Sequence, residues 1–169
     1  MYTLPRSKYL RQSLIINGSR APLPVIVNPI SHRDRVMQDL RNLGVTKLGL
    51  ARMESRYLPH IIHPDEIIGG VVYGHSQDGF VMLIATETRV IFLDKKPLYV
   101  NQDEITYYVI SGISISHAGV GSTVTLHTRI KDYKIRTYNY KCANNFVEYI
   151  ETRCLEHNDG NKDRYDQLT

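Results

Sequence analysis

The spacing of apolar residues changes along the chain and divides it into four regions. Residues 1–30 have no sustained period because several prolines interrupt them, so we expect an irregular N-terminal arm. Residues 31–62 carry apolar residues three and four positions apart, the spacing of short helices. Residues 63–155 alternate with a period of two before a final helical stripe, which predicts a β domain closed by a helix. Residues 156–169 are polar and predict a disordered tail.

Two short helices are predicted in the second region, each with a recognisable N-cap. Ser31, followed three residues later by Asp34, has the spacing of a capping box, and Gly44 marks the end of this helix. Thr46 is the predicted N-cap of a second helix, which continues to about Leu58. The predicted packed side of the second helix consists of Leu48, Ala51, Ser55 and Leu58. The apolar stripes are narrow, so we expect both helices to pack on the larger domain.

Seven strands and one helix are predicted in the third region. The strands are residues 66–74, 80–85, 89–94, 105–110, 113–117, 124–131 and 133–138. The pair Gly69-Gly70 allows a bulge or a close backbone approach within the first strand, and Asp78-Gly79 predicts a tight turn after it. The helix is predicted from Cys142 to about Leu155. Its apolar side consists of Ala143, Phe146, Val147, Ile150 and Cys154.

Composition excludes membrane-spanning and disulfide-stabilised classes of protein. The 169 residues are 42% apolar, which can form the core of one domain. The longest apolar run, Phe80–Ala85, is far shorter than the roughly 20 residues of a transmembrane helix. Cys142 and Cys154 are twelve residues apart on one predicted helix, about 18 Å, which is too far for a disulfide. With no predicted signal peptide, these features favour a cytoplasmic protein.

Positive charge is concentrated at the N-terminal end. Residues 1–60 contain ten bases and three acids, a net charge of +7, whereas the whole chain carries +4 and the remainder therefore −3. The arm's candidate contacts to an anion or partner are Arg6, Lys8, Arg11 and Arg20. At about 1 kcal/mol for each base near an anionic membrane, the arm steers binding without anchoring it. The alternative is an extension that is disordered or that becomes ordered by pairing with a neighbouring subunit.

The last two predicted strands form a hairpin with a basic face. The candidate binding residues are His127, Arg129 and Lys131 on one strand and Lys134, Arg136 and Tyr138 on its partner. The period of two directs them away from a core side formed by Val124, Leu126 and Ile130, and cross-strand pairing gathers them on one surface. Such a surface suits phospholipid head groups, nucleic acid or acidic protein. The alternative is a solvated face whose bases discourage edge pairing.

Motifs for catalysis and metal binding are weak. His60 and His63, close to Asp65 and Glu66, are residue types that ligate metals, but flanking prolines place them in a linker. His117 is the remaining histidine considered for a small enzyme. The sequence contains no glycine-rich phosphate loop, nucleophile elbow, His-Glu-x-x-His or Cys-x-x-Cys motif. We therefore predict no enzymatic activity, no cofactor and no metal.

Several short motifs occur in an order that identifies a family resemblance. They are Asp65-Glu66-Ile67-Ile68, a Thr86–Phe92 run containing Arg89, Glu104-Ile105 before Tyr107, the Ile110 and Ile113 pair before the Gly119 turn, and Phe146 with Ile150 in the last helix. With the order of strands and helix, residues 63–155 resemble bacterial pleckstrin-homology (PH) domains, particularly the YokE-like group. The resemblance implies a mostly β fold with α-helix: a partly open barrel of seven antiparallel strands, in two nearly orthogonal sheets, capped by the C-terminal helix.

The resemblance also implies binding rather than catalysis. PH-like domains bind phosphoinositides, peptides or partner domains, and bacterial ones can self-assemble. The lipid-binding form has bases in its first hairpin and the next strand, whereas residues 75–85 here contain no Lys or Arg. We therefore predict a non-catalytic module for protein binding or self-assembly. An anionic-surface binder using the arm and the 127–138 hairpin is the alternative, and a small histidine-based enzyme is a minor one. Arg89 is expected to be structural, with anion binding as its alternative.

Overall fold

A computed structural model describes residues 30–166 of the protein, with side chains up to residue 157. The candidates Arg6, Lys8, Arg11 and Arg20 lie outside the described residues. The α-helices are α1 (His32–Asn42), α2 (Lys47–Leu50), α3 (Met53–Tyr57) and α4 (Tyr140–Asp166), and short 3-10 helices occupy Leu58–His60 and Tyr107–Val109. Across these residues, no helix combines the length and apolarity needed to cross a bilayer.

Seven antiparallel strands form one open sheet in the order β4-β3-β2-β1-β7-β6-β5. The strands are β1 (Ile68–Ser76), β2 (Gly79–Thr86), β3 (Arg89–Lys95), β4 (Val100–Thr106), β5 (Ile110–His117), β6 (Ser122–Thr128) and β7 (Asp132–Thr137). β1 and β7 share a single pair, His75 with Arg136, so the two halves of the sheet meet over a short junction. The predicted PH-like arrangement of seven strands, C-terminal helix and preceding short helices is confirmed.

One core lies between the sheet and α4. Phe146, Ile150 and Ala143 of α4 are fully buried against Leu126, Ile135 and other inward-facing strand residues. At about 1.5–3 kcal/mol for each large side chain removed from water, Phe146 and Ile150 contribute several kcal/mol. The helix is therefore an integral wall of the domain.

A second core lies on the opposite face of β1–β3, beneath the N-terminal helices. Val36 and Leu40 of α1, with Leu58 after α3, are fully buried against Met82 and Ile84 of β2. β2 is thus covered on both faces, which explains why its sequence is continuously apolar rather than alternating. The helices pack on the β domain as their narrow stripes predicted.

Both predicted helix N-caps are confirmed. Ser31 Oγ accepts the Asp34 backbone N–H at 3.1 Å and donates to the Asp34 carboxylate at 2.7 Å. Gly44 follows the end of α1 with φ +94°, a conformation that glycine adopts without strain. Thr46 Oγ1 accepts the Gly49 N–H at 3.2 Å at the start of α2.

The prediction of one continuous second helix is wrong. The segment breaks into α2, α3 and a 3-10 turn, and Leu48, predicted on the packed side, is 81% exposed. The break follows Gly49, whose carbonyl accepts the Ser55 hydroxyl at 2.8 Å and the Arg52 N–H at 3.1 Å. These bonds close a turn between α2 and α3 and rotate Leu48 towards solvent.

The fourth strand and the C-terminal helix also differ from their predictions. β4 begins at Val100, in a polar stretch without alternation, and ends before Tyr107, whose buried hydroxyl donates to the Thr86 carbonyl. α4 continues through residues 156–166, which were predicted as a disordered tail. The extension starts well packed, because the His157 ring stacks 5.1 Å from that of Tyr107. Each further residue of an existing helix then adds a hydrogen bond without a new nucleation cost.

Candidate functional site

The predicted basic face of the last hairpin is only partly assembled. β6 ends at Thr128, so Arg129, Ile130 and Lys131 lie in the turn rather than on a strand. Thr128 Oγ1 accepts the backbone N–H groups of Ile130 and Lys131, which closes the turn locally. Ile130, predicted to face the core, is consequently 84% exposed. The predicted alternation of inward and outward side chains therefore ends at Thr128 and does not apply to the turn.

Two of the six candidate side chains are held by acids. His127 Nδ1 lies 3.1 Å from Asp132 Oδ1, its direct cross-strand partner. Lys131 Nζ lies 2.7 Å from Asp103 Oδ2 on β4, and the Tyr133 hydroxyl donates to the same oxygen at 3.1 Å. The hydrogen bond from Lys131, opposed by burial, lowers the pKa of Asp103. Lys131 therefore fastens the β6–β7 turn to β4 rather than projecting from the outer face.

Lys134 and Arg136 do project outward from β7, where they alternate with the buried Tyr133, Ile135 and Thr137. Within the part of the chain that the structure describes, neither side chain forms an ion pair. They line a cleft of about 670 Å³ between β7 and the β1–β2 hairpin. Asp78 and Asp132 line the same cleft, so its charge is mixed rather than uniformly basic.

Tyr138 lies on a different surface, which we call the α2–β7 groove. This groove of about 610 Å³ lies where α2, the β1–β2 hairpin and the β7–α4 connection meet. Its exposed apolar side chains are Leu48, Tyr138 and Tyr140, with the half-buried Phe80 beside them. The sequence prediction missed this groove because Leu48 was assigned to a packed face; the two tyrosines flanking Asn139 were the available signal.

A polar base holds the α2–β7 groove in shape. The Tyr73 hydroxyl accepts the Thr46 N–H at 3.2 Å and the Asn139 side-chain N–H at 3.0 Å. The same Asn139 nitrogen donates to the Gly44 carbonyl at 2.9 Å, and its oxygen accepts the Cys142 N–H at 3.1 Å. Asn139 thus joins the N-terminal helices, β1 and the start of α4 in one hydrogen-bonded unit.

The second surface is the free side of β5, which we call the β5 edge. β5 ends the sheet and contains no Lys, Arg, Asp or Glu between Ile110 and His117. A mainly apolar groove of about 360 Å³ runs beside it, lined by Gly112 and Ile113 of β5 and by Ile150, Glu151, Cys154 and Leu155 of α4. Leu155 is 64% exposed. The sequence signal for the β5 edge was the alternation of Ile and Ser along this strand.

Arg89 is a structural residue of the sheet end. Its Nε and Nη2 donate to the two carboxylate oxygens of Glu66 at 3.0 and 3.1 Å, and Nη2 also donates to the Ile61 carbonyl at 3.1 Å. Its Nη1 lies 2.6 Å from Glu104 Oε2. Four donations to protein groups leave this guanidinium little capacity for an external anion.

Glu66 is the acid at the centre of this network. It is almost completely buried, and its carboxylate also accepts from the Thr86 hydroxyl at 2.8 Å and the His63 N–H at 3.1 Å. Burial raises the pKa of Glu66, but the hydrogen bonds from Arg89, Thr86 and His63 outweigh it and lower that pKa to about 2. Glu66 is therefore committed to Arg89 and is not available as a metal ligand beside His63.

The histidine and cysteine candidates have separate surroundings in the structure. No group of three or more His, Cys, Asp or Glu side chains close enough to hold a metal ion occurs in the described part of the chain. His117 Nδ1 lies 2.8 Å from the Ser122 hydroxyl, far along the chain from His60 and His63. Cys142 and Cys154 are free thiols, and burial raises the pKa of Cys142 to about 11.

A solved structure and a family model are similar to the chain. A solved structure similar to the chain is a DUF1696 family protein with a pleckstrin-homology domain from Shewanella loihica PV-4. Its sequence is 14% identical to this chain. The superposition covers 59% of this chain and 89% of the solved chain, with a TM-score of 0.44. No curated protein matches the sequence. The family model described as "Bacterial PH domain" matches residues 62–152, more than half of the chain. The chain therefore belongs to the bacterial PH domain family.

Proposed function

We propose that the chain is a cytoplasmic, non-catalytic binding module that self-associates through the β5 edge. The supporting observation is the contrast between the two edges of the sheet. β4 carries Asp103 and Glu104, and the β6–β7 turn is fastened over it through Lys131. β5 has no charged side chain to repel another strand, and none of the strands within residues 30–166 pairs with its free side. An uncharged, unpaired edge is a template for adding a strand.

A second copy of the chain is the occupant that best complements this edge. In an antiparallel pair, directly opposed residues lie on the same face of the sheet, so like faces must meet. A two-fold axis at Ser114 satisfies this, because it sets Ile113 opposite Ile115 of the partner subunit on the core side. The exposed Leu155 and the apolar groove beside β5 extend the contact along α4. Such an interface is isologous and closes at the dimer.

Self-association predicts a concentration-dependent mass that charges on the β5 edge should reduce. The variant Ser114→Lys/Ser116→Lys places four like charges in one dimer interface, and we expect its dimer dissociation constant to rise at least about tenfold. Sedimentation equilibrium over micromolar concentrations measures this constant. The control Gln77→Lys/Asn144→Lys adds the same charge at exposed positions away from β5 and should dimerise like the original chain. A monomeric mass for the original chain throughout that range would refute self-association.

An anionic-surface binder is the second candidate function, supported by the outward-facing Lys134 and Arg136 together with the bases of the arm. We expect co-sedimentation with phosphatidylserine vesicles or an oligonucleotide at low salt, and a marked loss at physiological salt, because surface charges are screened. Lys134→Glu/Arg136→Glu should reduce the low-salt binding if β7 contributes. If the original chain does not co-sediment even at low salt, this function is excluded.

A further inference from the structure

We propose that the α2–β7 groove is a docking site for a short segment of another protein that carries apolar anchor residues flanked by acidic ones. This site is distinct from the β5 edge, and the proposal does not depend on self-association. Leu48, Tyr138 and Tyr140 expose apolar surface around a concave space of about 610 Å³. Aromatic residues that surround a depression are typical anchors of protein interfaces.

The charged side chains that line the groove are all basic. Arg52 and Lys141 stand at its rim, and the lining includes no Asp or Glu. Neither base forms an ion pair with another of the described residues. The Arg52 guanidinium lies 4.3 Å from the centre of the Phe80 ring, which holds it in place and leaves its N–H groups available. The rim thus offers preplaced donors for carboxylates beside the apolar side chains of Leu48, Tyr138 and Tyr140.

The same charge pattern argues against the other occupants. Residues 1–29 of this chain contain four bases and no acid, so the arm would bring like charge to Arg52 and Lys141. A second copy docked groove to groove would set these bases against their own counterparts, which is unfavourable. An acidic segment with apolar side chains complements both the exposed apolar side chains and the basic rim.

The groove is also rigid enough to bind without rearrangement. The hydrogen bonds of Asn139 and Tyr73 tie its walls together, and the Cβ of any side chain at Gly49 would lie 2.9 Å from the Tyr73 ring of β1. α2 therefore lies directly against the sheet. A pre-formed site spends less of its interaction energy on ordering itself, which favours a short peptide as ligand.

The test uses the full chain and three labelled peptides: one with Leu and Phe between Asp and Glu residues, one with the acids replaced by Lys, and one with the apolar residues replaced by Ser. Fluorescence anisotropy should show binding of the first peptide only, and its affinity should fall as salt is added. Leu48→Glu should weaken binding of the first peptide at least about tenfold, because the substitution places a carboxylate at the apolar contact. Leu98→Glu, at a residue that is 97% exposed and does not line the groove, should leave it unchanged.

Charge reversal separates recognition from simple hydrophobic adhesion. Lys141→Glu should weaken binding of the acidic peptide and strengthen binding of the lysine peptide. The mass of the chain in solution should not change. The proposal is overturned if the first peptide does not bind at millimolar concentration, or if Leu98→Glu weakens it as much as Leu48→Glu does. Binding of a peptide of residues 1–20 that Leu48→Glu abolishes would instead identify the arm as occupant and also overturn the proposal. None of these results depends on whether the chain is a monomer or a dimer.

Discussion

Replacing Glu66 with Gln is expected to lower the free energy of unfolding by about 3 kcal/mol at neutral pH. The hydrogen bonds from Arg89, Thr86 and His63 hold the pKa of Glu66 at about 2, below its ordinary value of 4.5, despite its burial. At about 1.4 kcal/mol for each pKa unit, this difference corresponds to about 3 kcal/mol in favour of the ionised form. Glutamine keeps the shape but leaves the Arg89 guanidinium without its buried counter-ion, a change that costs about 3–5 kcal/mol in buried pairs.

The same pair predicts a defined acid dependence. Because the pKa of Glu66 is lower in the folded chain than in the unfolded one, its stabilising effect is complete above about pH 4.5. The effect is lost as the pH falls towards 2, since the unfolded chain then binds the proton more readily. Urea unfolding followed by circular dichroism at pH 7 and pH 3 measures both the loss of unfolding free energy at neutral pH and its decrease in acid. The difference between the original chain and Glu66→Gln should shrink at the lower pH.

Glu54 provides the matched control for Glu66. It is also a buried glutamate, but burial raises its pKa, and its carboxylate accepts the Lys95 N–H at 3.3 Å. Glu54→Gln keeps that acceptor and removes a charge that burial disfavours, so stability at pH 7 should change by less than about 1 kcal/mol. Equal destabilisation by both substitutions would contradict a special role for the Glu66–Arg89 pair.

The strands could be predicted where the burial of one or both faces of the sheet determines the pattern of apolar residues. β2 and β7 follow the rules for a strand buried on two faces and on one face, and both were found near the predicted residues. β4 was misplaced because it is an edge strand whose residues Asn101–Glu104 face solvent or the β6–β7 turn. Local pattern does not distinguish such a polar strand from a loop. Its position is set by pairing with β3, which lies earlier in the chain.

The binding surfaces were less predictable because their properties depend on distant partners. The parity of β7 correctly directed Lys134 and Arg136 outward, but it could not reveal that Lys131 pairs with Asp103, 28 residues away. The α2–β7 groove is lined by α2 and by the start of α4, which are about ninety residues apart in sequence. Periodicity describes one element at a time, so it cannot report a cavity between elements.

Gly74 shows the same limit, and its replacement by Ala is expected to destabilise the fold by about 3 kcal/mol. The sequence marked the Gly69-Gly70 pair, where the β1–β2 register does shift, but gave no signal at Gly74. A Cβ at Gly74 would lie 2.1 Å from the Arg136 carbonyl oxygen and 2.8 Å from its carbonyl carbon. Both atoms belong to the backbone, so relief requires β1 and β7 to separate, and overpacking of this kind typically costs about 1–3 kcal/mol.

The destabilisation should be concentrated at the junction between the two halves of the sheet. His75 and Arg136 form the single β1–β7 pair, so Gly74→Ala should increase amide hydrogen exchange in β7 before it affects β2 and β3. Gly112→Ala, measured at a dilution at which the chain is monomeric, is the control, because nothing lies within 4 Å of a Cβ at that position. It should change stability by less than about 0.5 kcal/mol in urea unfolding. If Gly74→Ala were equally mild, the close approach of β1 to the Arg136 backbone would not be what joins the halves of the sheet.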